Sequence, residues 1–127
     1  MRLKNFSLNV GEQIFKAFSD ASRIRILNLV LKNREMCISD LEQILDFTQT
    51  KTSRHLTYLK NAGIVSSRKQ DQWVFYFIND EVFDMVDKLL SYLTKDPVLQ
   101  KDIDTFNILY SNRELAANKL KTMDWQA

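Results

Sequence analysis

The chain has 127 residues, 45% of them apolar, and a net charge of +2, which suits one domain able to bury its own core. Its single cysteine, Cys37, excludes an internal disulfide and fits a reducing compartment, and the opening residues lack the apolar run and small-residue cleavage site of a signal peptide. No stretch approaches the ~20 apolar residues of a membrane span, so the expectation is a soluble, cytoplasmic protein with no membrane partner.

Two glycines and one proline leave few breaks, so helices should dominate. Gly11 opens a short apolar stripe, Ile14, Phe15 and Phe18, at helical spacing. Asp20 is a natural N-cap for a second helix that carries Ile24, Ile26, Leu27, Val30 and Leu31 and ends near Asn33. Met36-Cys37-Ile38 is long enough only for a strand fragment. Ser39 then begins Ser-Asp-Leu-Glu, a capping-box pattern with Glu42 reaching back, for a short third helix with Leu41, Ile44 and Leu45 inward. Phe47 should pack in the following turn. Thr48 can cap a fourth helix, which runs to Gly63 at its C′ position. Two such helices across a tight polar turn make a helix-turn-helix.

Strand patterns follow. Residues 64–68 and 73–78 are β-branched and aromatic, with polar Lys69-Gln70-Asp71-Gln72 between them, a hairpin placed as a wing. Trp73, Phe75 and Phe77 share one strand parity and are read as core rather than as base-stacking rings. Asn79 or Asp80 caps a fifth helix with Val82, Phe83, Val86, Leu89, Leu90 and Leu93 on one stripe. Asp96-Pro97 starts a sixth, with Leu99, Ile103, Phe106 and Tyr110 aligned, and residues 111–114 offer a capping box for a last helix through Leu120. The fold expected is mainly α with a small β-hairpin: one winged helix-turn-helix domain over 1–127. It comprises an N-terminal arm (1–11), a helix-turn-helix with wing (12–78) and C-terminal dimerisation and extension helices (79–127).

Charge is unevenly spread along this plan. Between Asp46 and Asp71 there is no acid, while Lys51, Arg54, Lys60, Arg68 and Lys69 lie inside, so the remainder of the chain is net acidic. A basic segment on an acidic body suggests a local polyanion contact. On a helical wheel over 49–62, Thr52, Leu56 and Leu59 fall together and Thr50, Lys51, Arg54, Thr57, Tyr58 and Asn61 fall opposite. Arg54 can fork to a guanine edge and Gln49 can pair with adenine, while Thr50, Ser53 and Lys51 suit phosphate oxygens. His55 stands beside this face, and Arg68 and Lys69 flank the wing tip along the backbone or minor groove. About four phosphates per protomer would give a log–log salt slope near −7 for a dimer on double-stranded DNA.

These residues resemble the ArsR/SmtB type of winged-helix repressors. The likeness runs from Phe15 to Ile78 and is carried by residues 18–27 (Phe-Ser-Asp-Ala-Ser-Arg-Ile-Arg-Ile-Leu), by Cys-Ile-Ser-Asp-Leu at 37–41 and, most specifically, by 48–65. The resemblance implies a homodimer packed through its first and fifth helices. Ile14, Phe15 and Phe18 would meet Val82, Phe83, Val86, Leu89, Leu90 and Leu93 there, in competition with an intramolecular core. It also implies an inverted-repeat operator read by one recognition helix per half-site, and release by an effector. One family effector site uses a Cys-x-Cys pair, but here Cys37 is present and Ser39 stands at the second position. A metalloid or redox effector would therefore have only Cys37, which is otherwise a small buried apolar residue. Aligning the other family site on Asp80 puts Val82 and Leu93 where histidines are required, leaving Asp96 alone, so no metal site is expected. The wing tip lacks the family's usual glycine, and the chain beyond Leu93 exceeds the minimal plan.

An enzyme would need a nucleophile, base and orienting group in one pocket; no Gly-rich phosphate loop or Ser-x-Gly elbow is present, and Cys37 with His55 serve a helix-turn-helix better. The alternative is a winged-helix module that binds protein without sequence-specific DNA contact, which has no need for Lys51, Arg54, Arg68 and Lys69 on one surface.

Overall fold

In the computed structural model, which describes residues 5–119, most helix starts are set by side-chain oxygens that meet otherwise unpaired amides. Ser7 accepts from the Val10 N–H and opens α1 (Leu8–Phe18), three residues ahead of the start expected at Gly11. Asp20 accepts from Arg23 and opens α2 (Ala21–Asn33) as expected. A short strand β1 (Glu35–Cys37) then runs straight into α3 (Ile38–Leu45). The capping box expected at Ser39 is not built. Pairing of Cys37 with Phe75 holds Cys37 extended, which is already a cap conformation, so the helix begins at Ile38 and Ser39 lies inside its first turn.

Thr48 caps α4 (Gln49–Asn61) by accepting from the Lys51 N–H at 3.1 Å. At the other end Gly63, at φ +79°, occupies the left-handed region that a side chain resists. There the Ile64 N–H reaches the Leu59 carbonyl and the Gly63 N–H reaches Lys60, a Schellman ending. The chain leaves it as β2 (Val65–Gln70) and returns as β3 (Trp73–Ile78). All pairs are antiparallel and the sheet order is β1-β3-β2. The hairpin tip has only two residues, Asp71 and Gln72, and Asp71 at φ +55° takes the place a glycine would fill.

Helix α5 (Asp80–Ser91) follows Asn79. Asp96 accepts from Val98 and Leu99 and, with Pro97 at the first position, opens α6 (Pro97–Ser111). The capping box expected at 111–114 is also absent: Ser111 closes α6, and a short helical stretch follows at 116–119. The cap there is remote. The Asp40 carboxylate accepts from the Ala116 and Ala117 N–H groups at 2.7 and 3.0 Å. Leu120, the end expected for that helix, lies outside the described residues.

One apolar core joins α1 through α5 with the sheet. Leu27 and Val30 of α2, Leu41 of α3, Leu56 and Leu59 of α4, Ile64, and Val86 of α5 are fully covered. Each such side chain contributes roughly 1.5–3 kcal/mol of burial. The result is a rigid seat for α4.

Candidate nucleic-acid interface

Helix α4 has two sides of different chemistry because its periodicity gathers Thr52, Leu56 and Leu59 beneath it, where all three are buried. Thr52 pays no polar penalty there, since its hydroxyl donates to the Thr48 carbonyl at 2.8 Å. Gln49, Thr50, Arg54 and Thr57 are exposed, and Lys51 and Ser53 are half-buried. The Lys51 ammonium stands 4.0 Å from the centre of the Phe47 ring, which tethers it beside the helix N-terminus. The outward surface is thus rich in donors, with cations close to the N-terminal amides, the arrangement that suits phosphate oxygens.

His55 departs from the sequence expectation. It is turned inward, 6% exposed, with Nδ1 3.4 Å from Arg23 Nη1. Burial, followed by the nearby cations Arg23, Arg54 and Lys51, pushes its pKa below the ordinary histidine value despite the pull of Asp20. A neutral, packed imidazole supports the helix and offers little to a ligand. Arg23 was missed in the sequence. Its Nε and Nη2 donate to the Ala17 and Lys16 carbonyls at 3.0 and 3.2 Å, and its guanidinium lies 4.0 Å over the Tyr58 ring. It therefore ties the end of α1 to α4.

On the wing, Lys69 is exposed. Arg68, expected along a DNA backbone, is held in the free chain by its own sheet. It makes a two-pronged pair with Glu35, 2.9 and 2.7 Å, and a further bond to Gln70 at 2.8 Å, with its guanidinium above Phe75. The strand β1 supplied an acid that the linear charge window did not contain.

The apolar stripes of α1 and α5 divide. Ile14, Val82, Val86 and Leu90 belong to the protomer's own core, which their spacing alone could not decide. Phe15 is 67% exposed, Leu89 is exposed, and Phe18 and Phe83 are half-buried; Leu93, expected on the fifth-helix stripe, is exposed but lies in the turn past the end of α5 at Ser91. Next to Phe15, an open apolar groove of about 560 Å³ is lined by Phe6, Leu8, Ile14 and Met85.

Cys37 is 1% exposed, beneath Phe75 and Ala116, and its Sγ lies 3.3 Å from the Ser39 hydroxyl. Among the described residues, no group of three or more His, Cys, Asp or Glu side chains is placed to hold a metal ion. Nor, among them, is any helix long and apolar enough to cross a membrane.

The sequence profile described as "Bacterial regulatory protein, arsR family" matches residues 20–67, from the α2 cap through α4 into β2. The arsenic resistance transcriptional regulator ArsR1 of Pseudomonas putida is 39% identical over 77 residues, which span 61% of this chain and 60% of that relative. The arsenical resistance operon repressor of Bacillus subtilis is 36% identical over 78 residues, spanning 61% of this chain and 74% of that relative. The solved structure of HlyU from Vibrio cholerae superimposes with a TM-score of 0.61 at 30% identity, covering 68% of this chain and 97% of the other. A homodimeric winged helix-turn-helix DNA-binding domain from Mycobacterium bovis gives 0.63 at 22% identity, over 68% and 80%, a likeness of fold.

Proposed function

The chain belongs to the ArsR family of bacterial regulatory proteins, and from that premise we propose a homodimeric repressor that lays α4 in the major groove of an inverted-repeat operator. The observation that carries this reading is the split of α4. Gln49, Thr50 and Arg54 are open to solvent with Lys51 and Ser53 at their margin, over an underside fixed by Thr52, Leu56 and Leu59. Arg54 is the base-reading side chain, Gln49 its neighbour on the groove floor, and Lys51 with Lys69 the phosphate contacts. Arg68 and His55 hold the structure behind them.

Dimerisation through Phe15 and Leu89, with the half-buried Phe18 and Phe83 and with Leu93 just past the helix end, would cover the exposed apolar face of α1 and α5 and set the half-site spacing. An effector acting at Cys37, metalloid or oxidant, would first have to displace Phe75 and Ala116, which pack against the thiol.

The test is fluorescence anisotropy on the DNA upstream of its own coding sequence, against a scrambled duplex of the same length. Wild type should prefer the former. Arg54→Ala should weaken specific binding by about 1–3 kcal/mol and shrink the preference, whereas Lys51→Ala should weaken both duplexes alike. Equal binding of all three proteins to both duplexes would refute the proposal and favour a protein-docking module.

A further inference from the structure

Helix α6 lies outside residues 20–67, and its buried polar attachment is to α2, beside the turn between α3 and α4. Asp102, buried in the middle of α6, takes a two-pronged bond from Arg25 of α2, with Nε and Nη2 both at 2.9 Å. The same guanidinium lies 5.4 Å from the centre of the Phe47 ring. Phe47 sits in the turn between α3 and α4, and its ring also holds the Lys51 ammonium at 4.0 Å. Farther along, the Asp40 carboxylate of α3 caps the 116–119 stretch. Besides its apolar packing on the core through Ile103, Phe106 and Leu115, the segment beyond α5 has one polar fastening to α2 and another to α3, and the first continues, contact by contact, to the first turn of α4.

We infer that α6 positions the recognition helix: Asp102 orients Arg25, Arg25 holds the plane of Phe47, and Phe47 fixes the N-terminal turn of α4 with Lys51. Arg25, Phe47 and Asp102 are positioning residues in this arrangement. A guanidinium suits the middle place because its edge can be claimed by a carboxylate while its plane remains available to a ring. A lysine would keep the charge and lose the plane. As a statement about DNA binding, the inference rests on the repressor reading. As a statement about where α4 begins, it does not.

The experiment is amide hydrogen exchange on the free protein, read at Lys51 and Thr52 and compared with Val86 and Leu90 of α5, for wild type, Asp102→Asn, Arg25→Lys and Phe47→Tyr. Asp102→Asn should speed exchange at Lys51 and Thr52 about fivefold, a typical size for coupling between packed sites, with α5 unchanged. Arg25→Lys should do the same although the charge pair with Asp102 survives, and Phe47→Tyr, which keeps the ring, should match wild type. If Arg25→Lys exchanges like wild type, the pair is merely a brace between α2 and α6 and the inference falls. It falls also if every helix speeds up equally. Should Asp102→Asn fail to fold, Arg25→Lys with Phe47→Tyr still decides. The same variants on the upstream duplex add the DNA arm: Arg25→Lys should lose about fivefold in affinity, and Phe47→Tyr none. Loss of the exchange pattern overturns the positioning role, whereas wild type that binds no DNA overturns only the repressor reading.

Discussion

Glu35→Gln should turn the wing into a stronger DNA contact. Arg68 is claimed by Glu35 through bonds of 2.9 and 2.7 Å, so its charge is neutralised before any phosphate approaches. The two side chains remain 38% and 23% exposed. Solvent therefore screens the pair, and its removal should cost no more than about 1 kcal/mol of stability. The consequence for binding is larger. With Arg68 occupied, Lys51, Arg54 and Lys69 supply three cations per protomer, six per dimer, and the log–log salt slope should be about −5 rather than the −7 expected from sequence. Releasing Arg68 adds one cation per protomer and steepens the slope by about 1.8. Between 50 and 200 mM salt the variant's advantage over wild type should then shrink about 12-fold.

Anisotropy titrations at four salt concentrations, on specific and scrambled duplexes, read this directly. Arg68 would still have Gln70 and the Phe75 ring, so the affinity gain at any one salt concentration is bounded above by the freed charge. Arg68→Ala in the wild-type background should leave the slope nearly unchanged, and Lys69→Ala should make it shallower by about 1.8 per dimer. A Glu35→Gln slope equal to wild type, with Lys69→Ala behaving as described, would show that Arg68 faces away from DNA even when released.

Three further outcomes follow from the geometry. Phe15→Asp should yield a folded monomer by sedimentation, with thermal stability little changed, because Phe15 is 67% exposed and contributes little to the protomer core. Asp40→Ala strips the acceptor from two amides and should cost about 1–3 kcal/mol in urea unfolding, with Asp40→Asn, which keeps one acceptor, losing less. Burial raises the Asp40 pKa above its ordinary 3.8 against the pull of the two amides, so the protonation-linked part of its contribution, separate from the amide bonds themselves, is greatest below that value and is lost as pH rises through the folded pKa. His55 has the opposite sense. Its folded pKa is lowered, so the unfolded chain binds the extra proton, and its contribution is complete above the ordinary 6.5 and is lost as pH falls toward the folded value. The difference between the stability curves of wild type and His55→Gln should therefore shrink on acidification below pH 6.5, and a flat difference would contradict a buried neutral ring facing Asp20, Arg23, Arg54 and Lys51.

Local chemistry was legible in the sequence and distant chemistry was not. Asp20, Thr48, Gly63 and Asp96-Pro97 bracket their helices with bonds that span a few residues, so the pattern alone located them. The Ser39 box failed because the deciding event was the pairing of Cys37 with Phe75, 38 positions away. His55 sits at the edge of the helical wheel, between the inward and outward faces, and the side chain that meets it on the inner side, Arg23 of α2, is 32 positions away. Asp102 with Arg25 spans 77 positions, and no local pattern marks it.

The basic window shows the same division in charge. Counting from Asp46 to Asp71 weighs neighbours along the chain, but the field at a surface is set by neighbours in space. Here the register of the sheet chooses those neighbours. Glu35 pairs with Phe77 from one side of β3, and Arg68 pairs with Phe75 from the other. Positions 75 and 77 share a face, so Glu35 and Arg68 point the same way and meet across the central strand above the Phe75 ring. A slip of one residue in either pairing would send one of them to the opposite face and return Arg68 to the wing's charge. The electrostatic footprint of the wing is thus a property of strand register, and no count of lysines and arginines in the segment can supply it.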